Sequence, residues 1–195
     1  MLFHSFAVTL YLIYRRSRRN SSAALIKNMI EMTDFRTMRR KRQLLTEAES
    51  IEILNKATSG VLSLIGDEGY PYGVPISYVY ADGKMFFHSA LSGHKIDAIR
   101  NNEKASFTVI DTDDIKPKEF TTYFRSVICF GKVHIIEDDD EKIRTIRMLS
   151  ERYNPGDEEG FKHEVQKDFS HMCMICFEIE HLTGKEAIEL VRMKK

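Results

Sequence analysis

From position 38 onward, the chain alternates short apolar runs with clusters of polar and turn-forming residues. The apolar runs are rich in β-branched and aromatic side chains, which is typical of strands. The predicted strands are residues 60–65, 72–80, 84–89, 105–110, 122–136 and 172–180. Gly131 interrupts the fifth run, which is therefore either one long strand or a bent pair. Asp82-Gly83 favours a tight turn, so the second strand should fold directly back into the third.

Helical spacing and end signals predict short helices between the strands. Thr46 and Glu49 form a capping box ahead of a helix that ends near Lys56, and Ser92 is the expected N-cap of a helix that runs to Arg100. The remaining predicted helices are residues 138–153 and 161–169. Antiparallel strands in chain order, without β-α-β alternation, predict a small β-barrel or α+β domain over residues 38–195.

Residues 1–37 differ from this pattern. Positions 2–14 form an apolar run of about 13 residues, shorter than the roughly 20 residues that a membrane span needs. The arginines follow this run, whereas a secretory signal places its positive charges first. We interpret residues 1–37 as a disordered or weakly helical extension, or as an upstream start that is not used. The alternative is a short anchor on a membrane surface, where the arginines would contact anionic lipid.

The formal net charge of the 195-residue chain is zero, but it is unevenly distributed. Residues 1–42 contain ten Lys or Arg and two acids, a net charge of +8, so the rest of the chain carries −8. An acidic domain repels a phosphate backbone, and nucleic acid is therefore not an expected partner.

The three cysteines are Cys129, Cys173 and Cys176, an odd number that argues against a disulfide framework and favours a reducing, cytoplasmic location. Cys173 and Cys176 form a C-x-x-C on a predicted strand, where residues three apart point to opposite faces. We expect buried thiols there, and not a redox pair or half of a zinc site. The seven histidines show no metal-binding spacing either.

The most informative positions are His94 and Lys95, in the first turn of a predicted helix. Helix dipoles favour acids there, so cations cost about 0.3–1 kcal/mol unless a bound anion offsets their charge. Gly93, the free N–H groups of the helix start and the two cations would form a phosphate-binding site. The alternative is an ordinary solvated loop with Lys95 in water.

Three segments carry a resemblance to a known family: residues 71–102 (PYGVPISYVYADGKMFFHSALSGHKIDAIRNN), 123–133 (YFRSVICFGKV) and 177–185 (FEIEHLTGK). They resemble the pyridoxamine 5′-phosphate oxidase-like FMN-binding split-barrel superfamily, and within it the 5-nitroimidazole reductase (Nim) group. The resemblance covers nearly all of residues 39–187 and none of the leader. It implies a mainly β, α+β fold: a six-stranded antiparallel split β-barrel with short flanking helices. It also implies a homodimer with FMN at the subunit interface.

The resemblance further implies a set of cofactor-binding positions. Residues 74–77 would border the isoalloxazine ring through their backbone, 88 and 89 would lie beside the flavin, 94 and 95 would bind its phosphate, and 125 and 126 would reach it across the interface. The implied residues are Val74, Pro75, Ile76, Ser77, His88, Ser89, His94, Lys95, Arg125 and Ser126. In the Nim group a histidine at the position of His88 faces the substrate pocket, so His88 is the candidate catalytic residue.

Two departures from the family pattern bear on function. The chain has no tryptophan and ends in GKEAIELVRMKK, unlike true pyridoxamine-phosphate oxidases, so oxidation of vitamin B6 is disfavoured. His94 stands where an arginine is common, which weakens the phosphate contact and makes it sensitive to pH.

The expected activity is an FMN-dependent oxidoreductase that passes electrons from NAD(P)H or another donor to a small acceptor such as a nitroimidazole. The alternative is a non-catalytic protein of the same fold that holds flavin or haem for storage or sensing. His88 or His94 would then supply an axial ligand to haem.

Overall fold

A single antiparallel sheet organises the computed structural model, which describes residues 35–194. Within this range the sheet has seven strands: β1 (Ser59–Ile65), β2 (Pro71–Ser77), β3 (Val79–Ala81), β4 (Lys84–Ala90), β5 (Lys104–Lys116), β6 (Thr121–Ile135) and β7 (Met172–Glu186). Their order across the sheet is β2-β1-β5-β6-β7-β4-β3. The α-helices are α1 (Glu47–Lys56), α2 (His94–Asn101), α3 (Asp139–Tyr153), α4 (Glu158–Asp168) and α5 (Ile188–Met193).

The predicted strand 72–80 is divided at Tyr78. Its first part is β2, which pairs with β1 at one edge of the sheet, and its last part is β3, which pairs with β4 at the other edge. Because successive Cα atoms are about 3.8 Å apart, strands joined by one residue can occupy opposite edges only if the sheet curls round. The split-barrel fold is therefore confirmed, although backbone pairing does not close it. The expected count of six strands was wrong, since one predicted strand is two.

Side chains hold the crossing in place. Tyr78 is fully buried, and its hydroxyl donates to the Leu54 carbonyl at 2.7 Å. The Tyr78 N–H donates to the Tyr153 hydroxyl at 3.2 Å, and this hydroxyl lies 2.7 Å from the Tyr78 carbonyl and 2.6 Å from that of Thr58. Tyr153 therefore satisfies backbone groups that leave the ladder where the chain changes edges.

Most local predictions are confirmed, with one correction. The Thr46–Glu49 capping box is present on α1, and both Asp82 and Gly83 have the positive φ values of a tight turn, 49° and 76°. Ser92 is not an N-cap, because α2 begins one residue later than predicted. Gly93 takes that position with φ 116°, a left-handed conformation that favours glycine.

The longest strands extend further than the sequence pattern indicates. β5 continues to Lys116 and β7 to Glu186, and the two alternatives for 122–136 resolve in favour of one strand, β6. The pairing register of β6 and β7 shifts between Phe130 and Gly131. A Cβ atom on Gly131 would clash with the Glu178 carbonyl oxygen, so only glycine fits at this bulge.

The buried residues form two clusters on opposite faces of the sheet. The main core lies inside the curl beneath α1 and α2 and includes Phe107 and Cys173, while the smaller cluster lies under α3 and includes Phe86 and Cys176. The prediction that Cys173 and Cys176 point to opposite faces is therefore confirmed. Burial raises the pKa of Cys176 to about 11, so its thiol is protonated at neutral pH.

The chain divides into a unit of Met1–Thr37 and a unit of Met38–Lys195, and the sheet belongs to the second. The interpretation of the leader falls mainly on residues 1–34, which lie outside the described residues. No helix within 35–194 combines the length and the apolar character that a membrane crossing requires.

Candidate functional site

A cleft of about 790 Å³ separates the sheet from the hairpin of α3 and α4. Its sheet wall consists of Ser77, His88, Ser89, Ala90, His171 and Met172. Its helical wall consists of Ile146, Leu149, Ser150, Tyr153, Asn154, Asp157, Gly160, Phe161, Glu164, Val165 and Asp168. The volume suits a cofactor ring together with a small ligand.

The position of the cleft follows from the way the barrel is split. β3 pairs only with Lys84–Phe86 of β4, so the remainder of β4 has no partner on that side in the described sheet. β2 lies at the opposite edge and pairs only with β1. Unpaired strand edges present rows of backbone N–H and C=O groups, and Ser77 and His88 bring two such edges to the same cleft.

His88 and Ser89 lie side by side on β4 but differ in burial. His88 is exposed to the cleft, whereas Ser89 is only 8% exposed. Adjacent strand residues point to opposite faces of the sheet, so the Ser89 side chain shares the main-core face with its ladder partner Cys173, whereas His88 shares the other face with Met174.

His94 and Lys95 begin α2, as the sequence predicted, but their surroundings differ. The His94 ring stacks on Tyr72 at 4.1 Å between centroids, and its Nε2 atom lies 3.7 Å from a carboxylate oxygen of Asp67. Lys95 is half-buried and forms no ion pair with any carboxylate of the described residues. Burial lowers the pKa of Lys95 and leaves its ammonium poorly solvated.

Lys95 lies near Cys173 on β7, the strand that pairs with β4 beside the cleft. Its ammonium interacts electrostatically with the thiol of Cys173, and Cys173 pairs with Ser89 in the β4–β7 ladder. The start of α2 therefore lies at the same end of β4 as the cleft. The backbone N–H groups of His94 and Lys95 precede the first intrahelical hydrogen bond, which Ile96 makes to the Gly93 carbonyl at 2.8 Å.

The predicted residues of β2 divide between the two faces of the sheet. Val74 and Ile76 are half-buried, and Ile76 packs against the main core. Pro75 and Ser77 are exposed on the side of the sheet opposite the main core, which we call the outer face. Only Ser77 of these four residues lines the cleft.

Arg125 and Ser126 lie on β6, away from the cleft lining. The Arg125 guanidinium lies between two buried carboxylates, 3.6 Å from Asp111 and 3.8 Å from Glu186. Lys56 approaches Asp111 at 2.8 Å and Lys194 approaches Glu186 at 2.8 Å, so both carboxylates have further cations. This network ties β5, β6, β7 and the chain end together.

Of the predicted residues, the cleft therefore gathers Ser77, His88 and Ser89. Sequence reasoning missed the whole helical wall, because its residues begin at Ile146, 56 positions after β4 ends at Ala90. The α4 residues had one sequence signal: Gly160, Phe161, Glu164, Val165 and Asp168 recur at the spacing of one helix face. Within the described range, no group of three or more His, Cys, Asp and Glu could hold a metal ion.

Comparison with known proteins bears on the same region. Residues 46–186 match the sequence family described as pyridoxamine 5′-phosphate oxidase, which confirms the superfamily indicated by the three segments. No curated protein matches the chain.

Solved structures with the same fold come from several bacteria. A candidate 5-nitroimidazole antibiotic resistance protein of Bacteroides thetaiotaomicron superposes with a TM-score of 0.60 at 21% identity, covering 73% of this chain and 86% of that one. The flavocytochrome Anf3 of Azotobacter vinelandii gives 0.67 at 18% identity over 77% and 72%. An FAD- and haem-binding protein of Mycobacterium smegmatis gives 0.64 at 18% identity over 79% and 80%. At these identities the likeness establishes the fold alone.

Proposed function

This chain belongs to the pyridoxamine 5′-phosphate oxidase family, and from that premise we propose that it is an FMN-binding oxidoreductase that acts as a homodimer. The flavin ring lies in the cleft beside His88 and Ser89, and its phosphate binds at the start of α2. When bound, flavin supplies the electron-transfer chemistry. The protein supplies the binding groups, the orientation of the ring and access for a small acceptor.

The cleft provides groups that suit a flavin ring. Two strand edges with unpaired backbone groups flank it. A ring system with several hydrogen-bonding atoms would pair with all of these groups, and it would bury apolar surface against Met172 and Leu149.

The environment of Lys95 is the main reason for placing the phosphate at the start of α2. A half-buried ammonium without a carboxylate partner is unfavourable, and the lowered pKa of Lys95 reflects that cost. A dianionic phosphate at the free N–H groups of α2 would remove it. His94 is already stacked on Tyr72 and faces Asp67, so its contribution to the phosphate site is the smaller one.

The outer face of the sheet supports the homodimer. Val61, Ile65, Ile110 and Ile128 are exposed there, and Pro75 and Ser126 lie on the same face. α3 covers this side of the sheet at β3, β4 and β7. A second copy packed on the remainder would bury these apolar residues and bring Pro75 and Ser126, two predicted flavin contacts, into the subunit interface.

We assign His88 to the part of the cleft where a small electron acceptor would bind. It projects into the cleft from β4 and is exposed there, so it can contact a small molecule such as a nitroimidazole above the ring. NAD(P)H is the proposed electron donor.

The spectrum of the purified full-length protein tests this function. Absorbance maxima at about 370 and 450 nm that are bleached by NAD(P)H and restored by a nitroimidazole support it. A protein that acquires no such bands after incubation with FMN, as isolated or after refolding with FMN present, would contradict it.

Haem binding is the second candidate, because two histidines, His88 and His171, line the same cleft. Imidazoles are common axial ligands of haem. A single intense band near about 400 nm, lost in His88→Ala or His171→Ala, would favour haem over flavin.

A further inference from the structure

We propose that this protein binds the surface of an anionic membrane through the end of the domain where residues 39–44 meet α5. The proposal is independent of the flavin site, because it concerns a different part of the molecule and includes no chemical step. We call this surface the basic end. Its exposed cations are Arg39, Arg40, Lys41, Arg42 and Arg192.

Tertiary contacts bring the two basic segments together. The Gln43 side-chain amide donates to the Glu186 carbonyl at 2.9 Å, and Leu44 forms an antiparallel bridge with Lys185 of β7. The single helical turn Lys41–Gln43 therefore lies beside α5, which directly follows β7. Residues from the two ends of the described range thus form one surface.

The domain does not neutralise these cations. All five are exposed, and none forms an ion pair with a carboxylate among residues 35–194. Glu49 and Glu186 lie at this end, but Lys194 pairs with them at 2.7 and 2.8 Å. Glu47 on α1 and Glu189 on α5 remain without an ion pair in the described chain, so the cations exceed the unpaired acids. The basic end is therefore a region of positive potential on an otherwise acidic domain.

Two exposed apolar side chains accompany the charges. Leu44, two residues after Arg42, is 47% exposed, and Met193, directly after Arg192, is 67% exposed. A lipid surface stabilises both kinds of side chain, since anionic headgroups attract the cations and the boundary with the acyl chains buries the apolar groups. A nucleic acid backbone would pair with the cations alone. The combination therefore favours a membrane over nucleic acid.

The sequence that precedes the basic end has a matching composition. Positions 2–14 are the apolar run described above, and four arginines follow it, at 15, 16, 18 and 19. Stable attachment to a membrane surface generally needs two signals, such as an apolar segment together with a polybasic patch. The sequence supplies an apolar segment, and the fold exposes a polybasic patch a short distance further along the same chain.

Co-sedimentation of the full-length protein with lipid vesicles tests the proposal. Vesicles of phosphatidylcholine alone are compared with vesicles that also contain about 30% phosphatidylserine. We expect binding to the anionic vesicles to be at least about tenfold tighter, and most of this difference to disappear in about 0.5 M salt. Equal binding to both vesicles, or binding to neither, would overturn the proposal. Tighter binding to a duplex oligonucleotide than to the anionic vesicles would assign the basic end to nucleic acid and would overturn it as well.

Charge variants locate the binding. Replacing all four cations of residues 39–42 by glutamine should weaken binding to the anionic vesicles about twentyfold or more. Replacing only the three arginines among them by lysine retains the charge and should keep the affinity within about threefold of the parent. The matched control changes the net charge equally by replacing four exposed lysines elsewhere with glutamine: Lys104, Lys118, Lys162 and Lys167. If the two glutamine variants bound equally well, the assignment to the basic end would be wrong.

Met193→Ser tests the apolar contribution. This variant should weaken binding to the anionic vesicles about threefold, because less apolar surface is buried in the lipid. Ile115→Ser is the matched control, since Ile115 on β5 is also 67% exposed, and it should bind like the parent protein. Equal binding by the two serine variants would contradict insertion of the basic end into the lipid surface.

Discussion

Single residues in this protein combine burial with charge in ways that affect both stability and binding. Lys95 and Arg125 are both partly buried cations, yet Arg125 faces two carboxylates and Lys95 faces none among the described residues. The difference supports the proposed role of Lys95 in phosphate binding, because an unpaired charge in a half-buried position is retained at a cost in stability. Arg125 has carboxylates on both sides, although its buried Nε atom has no hydrogen-bond partner in the described chain.

Lys95→Ala should therefore weaken FMN binding without destabilising the apoprotein. The loss of one charge-assisted bond to phosphate should raise the dissociation constant about tenfold or more. In the parent protein, binding should weaken as pH rises through the lowered pKa of Lys95, since only the ammonium binds phosphate. Fluorescence titration of FMN from pH 7 upward measures both effects. Lys118→Ala, at an exposed turn, is the control, and equal affinity in Lys95→Ala would place the phosphate elsewhere.

Glu49 provides a test at acidic pH. Hydrogen bonds from Lys194 and from Thr46 lower the pKa of Glu49 from 4.5 to about 2. The folded state thus binds this proton less tightly than the unfolded state, so the stabilisation is present above about pH 4.5 and is lost as pH falls towards 2. The Glu49 side chain is partly exposed, which limits the effect to about 1 kcal/mol.

Glu49→Gln should reduce the free energy of unfolding at pH 7 and flatten its decline between pH 5 and about 2.5. Urea unfolding across this range measures the slope. Glu52→Gln, on the exposed side of the same helix, should retain the slope of the parent protein. An identical slope in Glu49→Gln would mean that other carboxylates carry the acid sensitivity.

At the scale of elements, the decisive contact joins the end of α3 to the crossing between β2 and β3. The Tyr153 hydroxyl bonds to backbone groups of Tyr78, and the Arg152 guanidinium donates to the Ala57 carbonyl. These contacts fix the two free strand edges and one wall of the cleft at the same place. α3 thus contacts the curled sheet at the crossing and forms part of the wall of the candidate site.

Tyr153→Phe should lower the free energy of unfolding by about 1–3 kcal/mol, because the Tyr78 N–H would lose its partner in a part-buried position. Chemical denaturation measures the change. Tyr70→Phe removes a hydroxyl from a side chain that is 74% exposed and should change stability by less than about 0.5 kcal/mol. If both variants were equally stable, water would be able to replace Tyr153 at the crossing.

At the scale of the whole molecule, two features support the proposed homodimer: the apolar outer face of the sheet, and the two sheet edges that remain unpaired. Ile128→Glu should disrupt the proposed homodimer, because it places a charge where a second copy would pack, and flavin content should fall with it. Sedimentation velocity gives the oligomeric state. Ile143→Glu, on α3, is a matched control, since the two isoleucines are 38% and 40% exposed. A monomeric parent protein would contradict the homodimer directly.

What the sequence determined by itself is the set of features that depend on neighbouring residues. The capping box of α1, the turn at Asp82-Gly83 and the opposite orientation of Cys173 and Cys176 all follow from local geometry. Segment similarity added the family and the fold.

Only the tertiary structure decided which distant residues meet. The division of a predicted strand at Tyr78 depends on Leu54 and Tyr153, which are 24 and 75 positions away. Arg125 finds Asp111 and Glu186 only because β5, β6 and β7 pair. The helical wall of the cleft likewise exists only where α3 and α4 lie opposite β4. Such contacts depend on chain crossing and packing, which no local pattern encodes.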